Sequence, residues 1–268
     1  MNKEEHLKLL RQGVHTWNNF RRDNPAIKPD LRRVKLKGYD FRDYDLKEAS
    51  LRGAELMRTN FKAANLTQAD LSNTNLLWAS GRQTNLSGAD FTNANLTAAN
   101  FSEADLRGAN ISGANLWGAK FIKADLCGVD FRLANIGNAN FSHAQLREAN
   151  FREANFLTSP PSMHPNFSEA DLRGANFSGI TLVADLSRTD LRGASFSGTV
   201  LCADLSEANL SRANLKRAIL YANLRGVNRW ASLVRTNLLD ADLSDADLSK
   251  AEFCNTIMPD GSLNDRDC

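Results

Sequence analysis

Residues 101–120 read FSEADLRGANISGANLWGAK, four successive copies of one five-residue unit. A large apolar residue opens each unit (Phe101, Leu106, Ile111, Leu116), Ala stands fourth, and Asp, Asn or Lys closes it. Carried outward in the same frame, positions 31, 36, 41 and onward to 156 hold Leu, Phe or Ile at 25 of 26 places, with Gly81 the exception. An α-helix would scatter a five-residue period around its circumference, and a strand needs a period of two. Neither can gather these residues into one core, so the chain is expected to turn every five residues. Gly, Ser and Asn in the other slots suit tight turns, where positive φ is often required.

A second period gives the number of sides. Every fourth large residue yields Phe41, Phe61, Phe101, Phe121 and Phe141, with Gly81 in line, and on the next side Leu46, Leu66, Leu86, Leu106, Leu126 and Leu146. Like residues recurring every 20 positions are what successive coils of a solenoid stack, so four units are expected to make one coil and these two ladders its core. The stretch LTSPPSMHPN, residues 157–166, holds three prolines and breaks the count, so a loop is expected there. Beyond it the large residues resume at Phe167, Leu172, Phe177 and Leu182. Four-residue steps from Leu182 to Leu186, Leu201 to Leu205 and Leu220 to Leu224 then recur 19 residues apart, as if one residue were missing from the same corner of each coil. The frame blurs near Arg229 and Trp230, and Leu224 to Leu243 reads as another 19.

These A(D/N)LxG-like units resemble the pentapeptide-repeat family over residues 31–258. The resemblance implies an all-β solenoid, a right-handed quadrilateral parallel β-helix, and the hand agrees with the general preference for right-handed parallel crossovers. At four units per coil the rod would have about 11 coils and, at about 4.8 Å per strand spacing, a length of roughly 50 Å. The ending TIMPDG, Thr256–Gly261, is similar to that of many cyanobacterial members, which implies Met258 as the last inward residue and a cyanobacterial source.

A β-helix exposes an unpaired strand edge at each end. Residues 1–30 are expected to form a helical cap: Asn2 and Glu5 have capping-box spacing, Leu7, Leu10, Val14 and Trp17 recur at helical intervals, and Asn24-Pro25 stops the helix over 2–22. That apolar face would seal the first coil or dock a partner. Residues 259–268 form a short polar tail, expected to cover the other end poorly. Where Gly81 interrupts the Phe ladder, either Leu77 and Trp78 shift inward or a small cavity remains.

Net charge is +2, with ten Lys/Arg against five Asp/Glu in residues 1–40 and 23 against 26 in the rest. A body so near neutrality has little field to steer nucleic acid, and no nucleic-acid partner is expected. No run of 18 apolar residues occurs and the charged start, MNKEEHLKLL, lacks a leader's apolar stretch, so a cytoplasmic protein without membrane association is expected. Cys127, Cys202, Cys254 and Cys268 lack zinc or redox spacing. Free thiols fit a reducing compartment, while a Cys254 to Cys268 disulfide closing the C-terminal end stays open. His6, His15, His143 and His164 have no metal-ligand spacing, and no nucleophile elbow, phosphate loop or dinucleotide fingerprint appears. The many carboxylates before the large residues read as a solvated face. No catalytic residue, metal or cofactor is assigned, and the chain is not expected to be an enzyme.

Outward residues 20 apart should lie one above another. One such ladder is Met57, Leu77, Thr97, Trp117, Gly137 and Leu157, apolar where other sides carry Arg, Lys, Ser and Thr, with Trp78 at the same corner. Exposed apolar patches mark contact surfaces, so Met57, Leu77, Trp78, Trp117 and Leu157 form the candidate interaction surface, unless the proline-rich loop folds over it. A basic ladder, Arg42, Lys62 and Arg82, continues the N-terminal charge, and Asp240, Asp242, Asp245, Asp247 and Glu252 against Lys250 make an acidic tip. A non-enzymatic scaffold or regulatory binding module for an unidentified protein partner follows, as a monomer or as an end-to-end or lateral dimer. The alternative, implied by the resemblance to gyrase-protecting members that look like duplex DNA, is a DNA-mimicking modulator of gyrase or topoisomerase. The near-neutral body and frequent Asn in place of Asp weigh against it.

Overall fold

The structure, a computed structural model, describes residues 2–157, 163–221, 232–243 and 251–268. Its building block is a tight turn. The carbonyl of the large residue accepts from the amide three residues on, as in Ala64 N to Phe61 O at 2.9 Å and Ala104 N to Phe101 O at 3.2 Å. The third residue of the turn takes positive φ, +58° at Ala63 and +62° at Glu103, as a type II turn requires. Side chains of every kind occupy that position, including Arg58, Trp78, Leu133 and Glu148. The left-handed region costs such residues roughly 1–2 kcal/mol each, and hydrogen bonding offsets it. Lys62 N donates to Asn60 Oδ1 at 3.1 Å, and Ala63 N donates to Arg82 O of the next coil at 3.2 Å. The Asp or Asn before each large residue thus locks the turn that follows, a task the solvated-face reading did not give it.

Adjacent coils pair in parallel. Asp45, Asn65, Asn85, Asp105, Asp125 and Gln145 bridge in succession, 20 residues apart, and four such columns run along the rod. Four sides follow, called here after one inward residue of each the Phe41, Leu46, Leu51 and Leu56 sides. Across the loop the offset widens to 26, as in Gln145 to Asp171, then narrows to 19 from Asp171 to Asp190.

Where a residue is missing, the turn is lost and the corner straightens into a strand. Strands β1 (Thr181–Asp185), β2 (Val200–Asp204) and β3 (Ile219–Leu220) form a parallel sheet in that order. The chain there alternates as a strand does, with Leu182 and Ala184 inward in β1 and Leu201 and Ala203 inward in β2. The next coil departs from the 19-residue reading. Ile219 pairs with Asp242 and Leu220 N donates to Asp242 O, so Leu243 follows Leu220 at an offset of 23, and Asn209 pairs with Ser232 at the same offset. The extra residues fall between Tyr221 and Ser232; Leu224, Arg229 and Trp230 lie outside the described residues.

Inside, aromatic rings stack in two columns. On the Phe41 side Phe121 and Phe141 lie 5.2 Å apart and 6° from parallel, and Phe141 and Phe167 lie 4.9 Å apart. On the opposite Leu51 side Phe131, Phe151, Phe177 and Phe196 stack at 4.6 to 5.2 Å. The two columns meet edge to face, as Phe131 does with Phe141 at 90°. Where Thr replaces the inward Ala its hydroxyl finds a backbone carbonyl, Thr84 Oγ1 to Phe61 O at 2.7 Å and Thr199 Oγ1 to Phe177 O at 2.6 Å. No buried donor is stranded there.

Two helices, α1 (Lys3–Arg11) and α2 (Val14–Asp23), stand where one was expected. Asn2 and Glu5 form the capping box of α1, and Gly13, at φ +96°, breaks the segment in a conformation few other residues adopt. The buried Trp17 donates its indole N–H to Asp45 O at 2.7 Å, and Arg21 reaches the carbonyls of Ile27 and Lys47. His6, also buried, approaches Asp30 N through Nδ1.

The tail differs from the expected poor cover. β4 (Thr256–Ile257) pairs antiparallel with β5 (Leu263–Asn264). Asp267 takes the amide of Phe253, Asp265 that of Asn255, and the Arg266 guanidinium lies 4.9 Å over the Phe253 ring. Cys254 and Cys268 are joined in a disulfide, so the free-thiol reading holds only for Cys127 and Cys202. The hairpin returns the tail to the last coil at Phe253, where Asp267 N bonds Phe253 O.

Candidate interaction surface

The ladder residues Phe41, Phe61, Phe101, Phe121 and Phe141 and Leu46, Leu66, Leu86, Leu106, Leu126 and Leu146 are each at most 2% exposed. With one large residue of every unit turned inward, the residue after it faces out. On the Leu56 side those outward residues stack on successive coils, Trp78 N donating to Thr97 O and Gly118 N to Gly137 O.

Along this side Met57 and Leu77 are half-buried, while Trp78 is 50%, Trp117 37% and Leu157 59% exposed. Met57, Leu77 and Trp78 form one apolar group at neighbouring coils. Thr97 separates that group from Trp117, and the buried Gly137 separates Trp117 from Leu157. Trp78 is not bare: the Arg58 guanidinium sits 4.8 Å above its ring. Of the loop, Leu157 and Met163 are exposed and Pro165 is buried; residues 158–162 lie outside the described residues.

The structure extends the ladder in a way the 20-residue period concealed. At the 26-residue offset of the neighbouring columns, as in Asn150 to Asn176, Leu182 corresponds to Phe156 of the coil before, and the outward neighbours Val183 and Cys202 are paired across β1 and β2. Tyr221, 52% exposed, follows on the next coil, its amide bonded to Leu201 O. The 26-residue and 19-residue offsets displace these three from the frame that identified Met57 to Leu157. Burial raises the Cys202 thiol above its ordinary pKa, which makes it a small apolar member of the stripe rather than a reactive group.

Charges elsewhere are mostly paired. Arg42 bonds Asp40 at 2.6 Å and Arg82 bonds Glu103 at 2.7 Å; Lys62 between them has no ion pair among the described residues. On the Leu46 side Asp171 sits between Arg147 and Arg173. Burial raises its pKa, but hydrogen bonds from the two guanidiniums outweigh that and hold it at about 2. At the acidic tip Asp240 pairs with Arg217 at 3.6 Å, and Asp245, Asp247 and Lys250 lie outside the described residues. Among the described residues no His, Cys, Asp or Glu cluster could hold a metal, and no helix is long and apolar enough to cross a membrane.

A family profile described as pentapeptide repeats matches in eight copies, over residues 30–62, 59–97, 99–138, 130–157, 165–183, 184–228 and 222–258. Among curated proteins nothing matches. Solved structures similar to this chain include HetL, a pentapeptide repeat protein involved in heterocyst differentiation regulation from the cyanobacterium Nostoc sp. strain PCC 7120. It is 32% identical over 92% of this chain and 98% of its own, with a TM-score of 0.37. QnrB1, a plasmid-mediated fluoroquinolone resistance protein, is 20% identical over 85% of this chain and 90% of its own, with a TM-score of 0.43. Rfr23 from the cyanobacterium Cyanothece 51142 is 25% identical over 59% of this chain and 95% of its own, with a TM-score of 0.24.

Proposed function

This chain belongs to the pentapeptide-repeat family, whose fold is a right-handed β-helix, and on that premise we propose that it is a non-enzymatic binding module for a protein partner. The observation that carries the reading is the apolar stripe from Met57 to Tyr221 on one side of a rod whose other sides carry mainly paired charge. A stack of flat sides supplies long, evenly spaced contact rather than the deep cleft in which small substrates are bound. Large rigid side chains such as Trp117 and Tyr221 are the kind that anchor protein interfaces.

In this reading residues 1–30 are a helical cap, residues 31–258 a repeat body of about 11 coils, and residues 259–268 a closing tail. The DNA-mimicking alternative is the weaker one, because it needs a continuous anionic face, and here arginines interrupt the acidic columns and pair with Asp105, Asp130 and Asp190. A photo-crosslinking side chain at position 117 or 221 is expected to capture a protein that the same group at position 67, on the Leu46 side, does not. Equal capture from both sides, or none from positions 117 and 221, would remove the stripe as the contact surface.

A further inference from the structure

The Leu46 side carries a second feature, independent of the apolar stripe. For most of its length each guanidinium there meets a carboxylate: Arg107 bonds Asp105 at 2.6 Å, Arg173 bonds Asp171 at 2.7 Å, and Arg192 bonds Asp190 at 2.6 Å. On the next two coils the acid column changes to Asn209 and then Ser232, while the corner residues become Arg212 and Arg235. Both are exposed, and neither has an ion pair or side-chain hydrogen bond among the described residues. They sit on adjacent coils, Arg212 N bonding Val234 O at 2.9 Å, so the backbones of two arginines without a carboxylate partner lie about one strand spacing apart, roughly 4.8 Å.

The corner beside them is hollow. Before Arg212 the same column holds Gly174 and Gly193, at φ +69° and +70°, and a Cβ on Gly193 would meet open space. A groove of about 660 Å³ results, lined by Arg173, Arg192, Arg212 and Arg235 with Asn209 and Asn255 at its polar rim. Asn209 Oδ1 is engaged by Ser211, at 3.0 Å from its amide and 2.6 Å from its hydroxyl, which leaves the Asn209 amide group to donate. The carboxylates that precede it in the acid column, Asp171 and Asp190, are committed to Arg147, Arg173 and Arg192. Glu148 precedes Gly174 in the corner column and Glu252 follows Ser232 in the acid column, and neither pairs with Arg212 or Arg235.

We propose that this groove is a binding site for a phosphate-type oxyanion, held by Arg212 and Arg235 with Asn209 as a neutral donor. Guanidinium groups match the oxygens of phosphate in fork geometry, and an anion of two or more charges neutralises the two guanidiniums that this corner leaves without a carboxylate. Inorganic pyrophosphate, titrated into the full chain at low salt and followed calorimetrically, is the probe. Saturable binding is expected, weakened at least about tenfold by R212Q with R235Q and unchanged by R107Q, whose guanidinium already serves Asp105. All three positions are exposed, so the variants should keep the parent's circular dichroism and thermal midpoint, which separates lost binding from lost fold. Absence of saturation in the millimolar range, or equal weakening by R107Q, would overturn the site.

Discussion

The ring of Phe101 occupies the place where a side chain at Gly81 would begin: a Cβ built on Gly81 would lie 2.2 Å from Phe101 Cε1 and 2.3 Å from Cδ1. The gap in the Phe ladder is therefore closed from the next coil, not by Leu77 or Trp78 and not left as a cavity. Reaching across has a visible effect, because Phe101 and Phe121 stand 6.0 Å apart and 16° from parallel where Phe121 and Phe141 stand 5.2 Å apart and 6°. Gly81→Ala should overpack this site and destabilise by about 1–3 kcal/mol. Adding Phe101→Leu should recover part of that loss, since the shorter side chain withdraws from the clash. Thermal midpoints of the two singles and the double measure it; strictly additive losses would mean that the two residues do not share the space.

Leu106 is 1% exposed and surrounded by the stacked interior, so Leu106→Asp would bury a carboxylate with no partner. A loss beyond about 4 kcal/mol is expected, against about 2–5 kcal/mol for Leu106→Ala. Because each coil rests only on its neighbours, proteolysis should open several coils around residue 106. A midpoint equal to the parent's would refute the inward placement.

His6 links the N-terminal helices to pH. Burial lowers its pKa below 6.5, and its Nε2 has no hydrogen-bond partner among the described residues. The folded state thus binds a proton less readily than the unfolded one, so the contribution is complete above about 6.5 and is lost as pH falls below it. The thermal midpoint of the first coils should drop between neutral pH and pH about 5. His6→Phe, which keeps ring contacts with Trp17 and Phe20, should flatten that slope. An unchanged slope would assign the pH dependence to other groups.

The Cys254 to Cys268 bond spans 14 residues and pins the tail over the final coil. Cys268→Ser should cost up to about 3 kcal/mol, the loop-closure value for a ring of this size. The effect should be local: hydrogen exchange at Phe253 and Asn255, whose amides are bonded to Asp267 and Asp265, should accelerate while exchange near Leu106 stays unchanged. Uniform acceleration along the rod would show the tail to be a global clamp.

The five-residue and 20-residue periods were enough to place Phe41, Leu46 and their successors inside, because a large side chain repeated at the turn period has only one direction in which to be buried. Asn2 with Glu5 likewise announced a helix start, since capping depends on residues three apart. What needed the tertiary structure depends on contacts between coils. That Phe101 fills the space beside Gly81 follows from ring placement across 20 residues. That Val183, Cys202 and Tyr221 continue the stripe of Trp117 follows from offsets of 26 and 19, which strand pairing sets and counting hides. The tail's return to Phe253, and the pairing of Arg173 but not Arg212, rest on which side chains the stacking brings face to face. Sequence alone determined the coil, because periodic burial is a local constraint repeated along the chain; only the folded stack decided the surface, because each outward side chain takes its partners from the coils above and below.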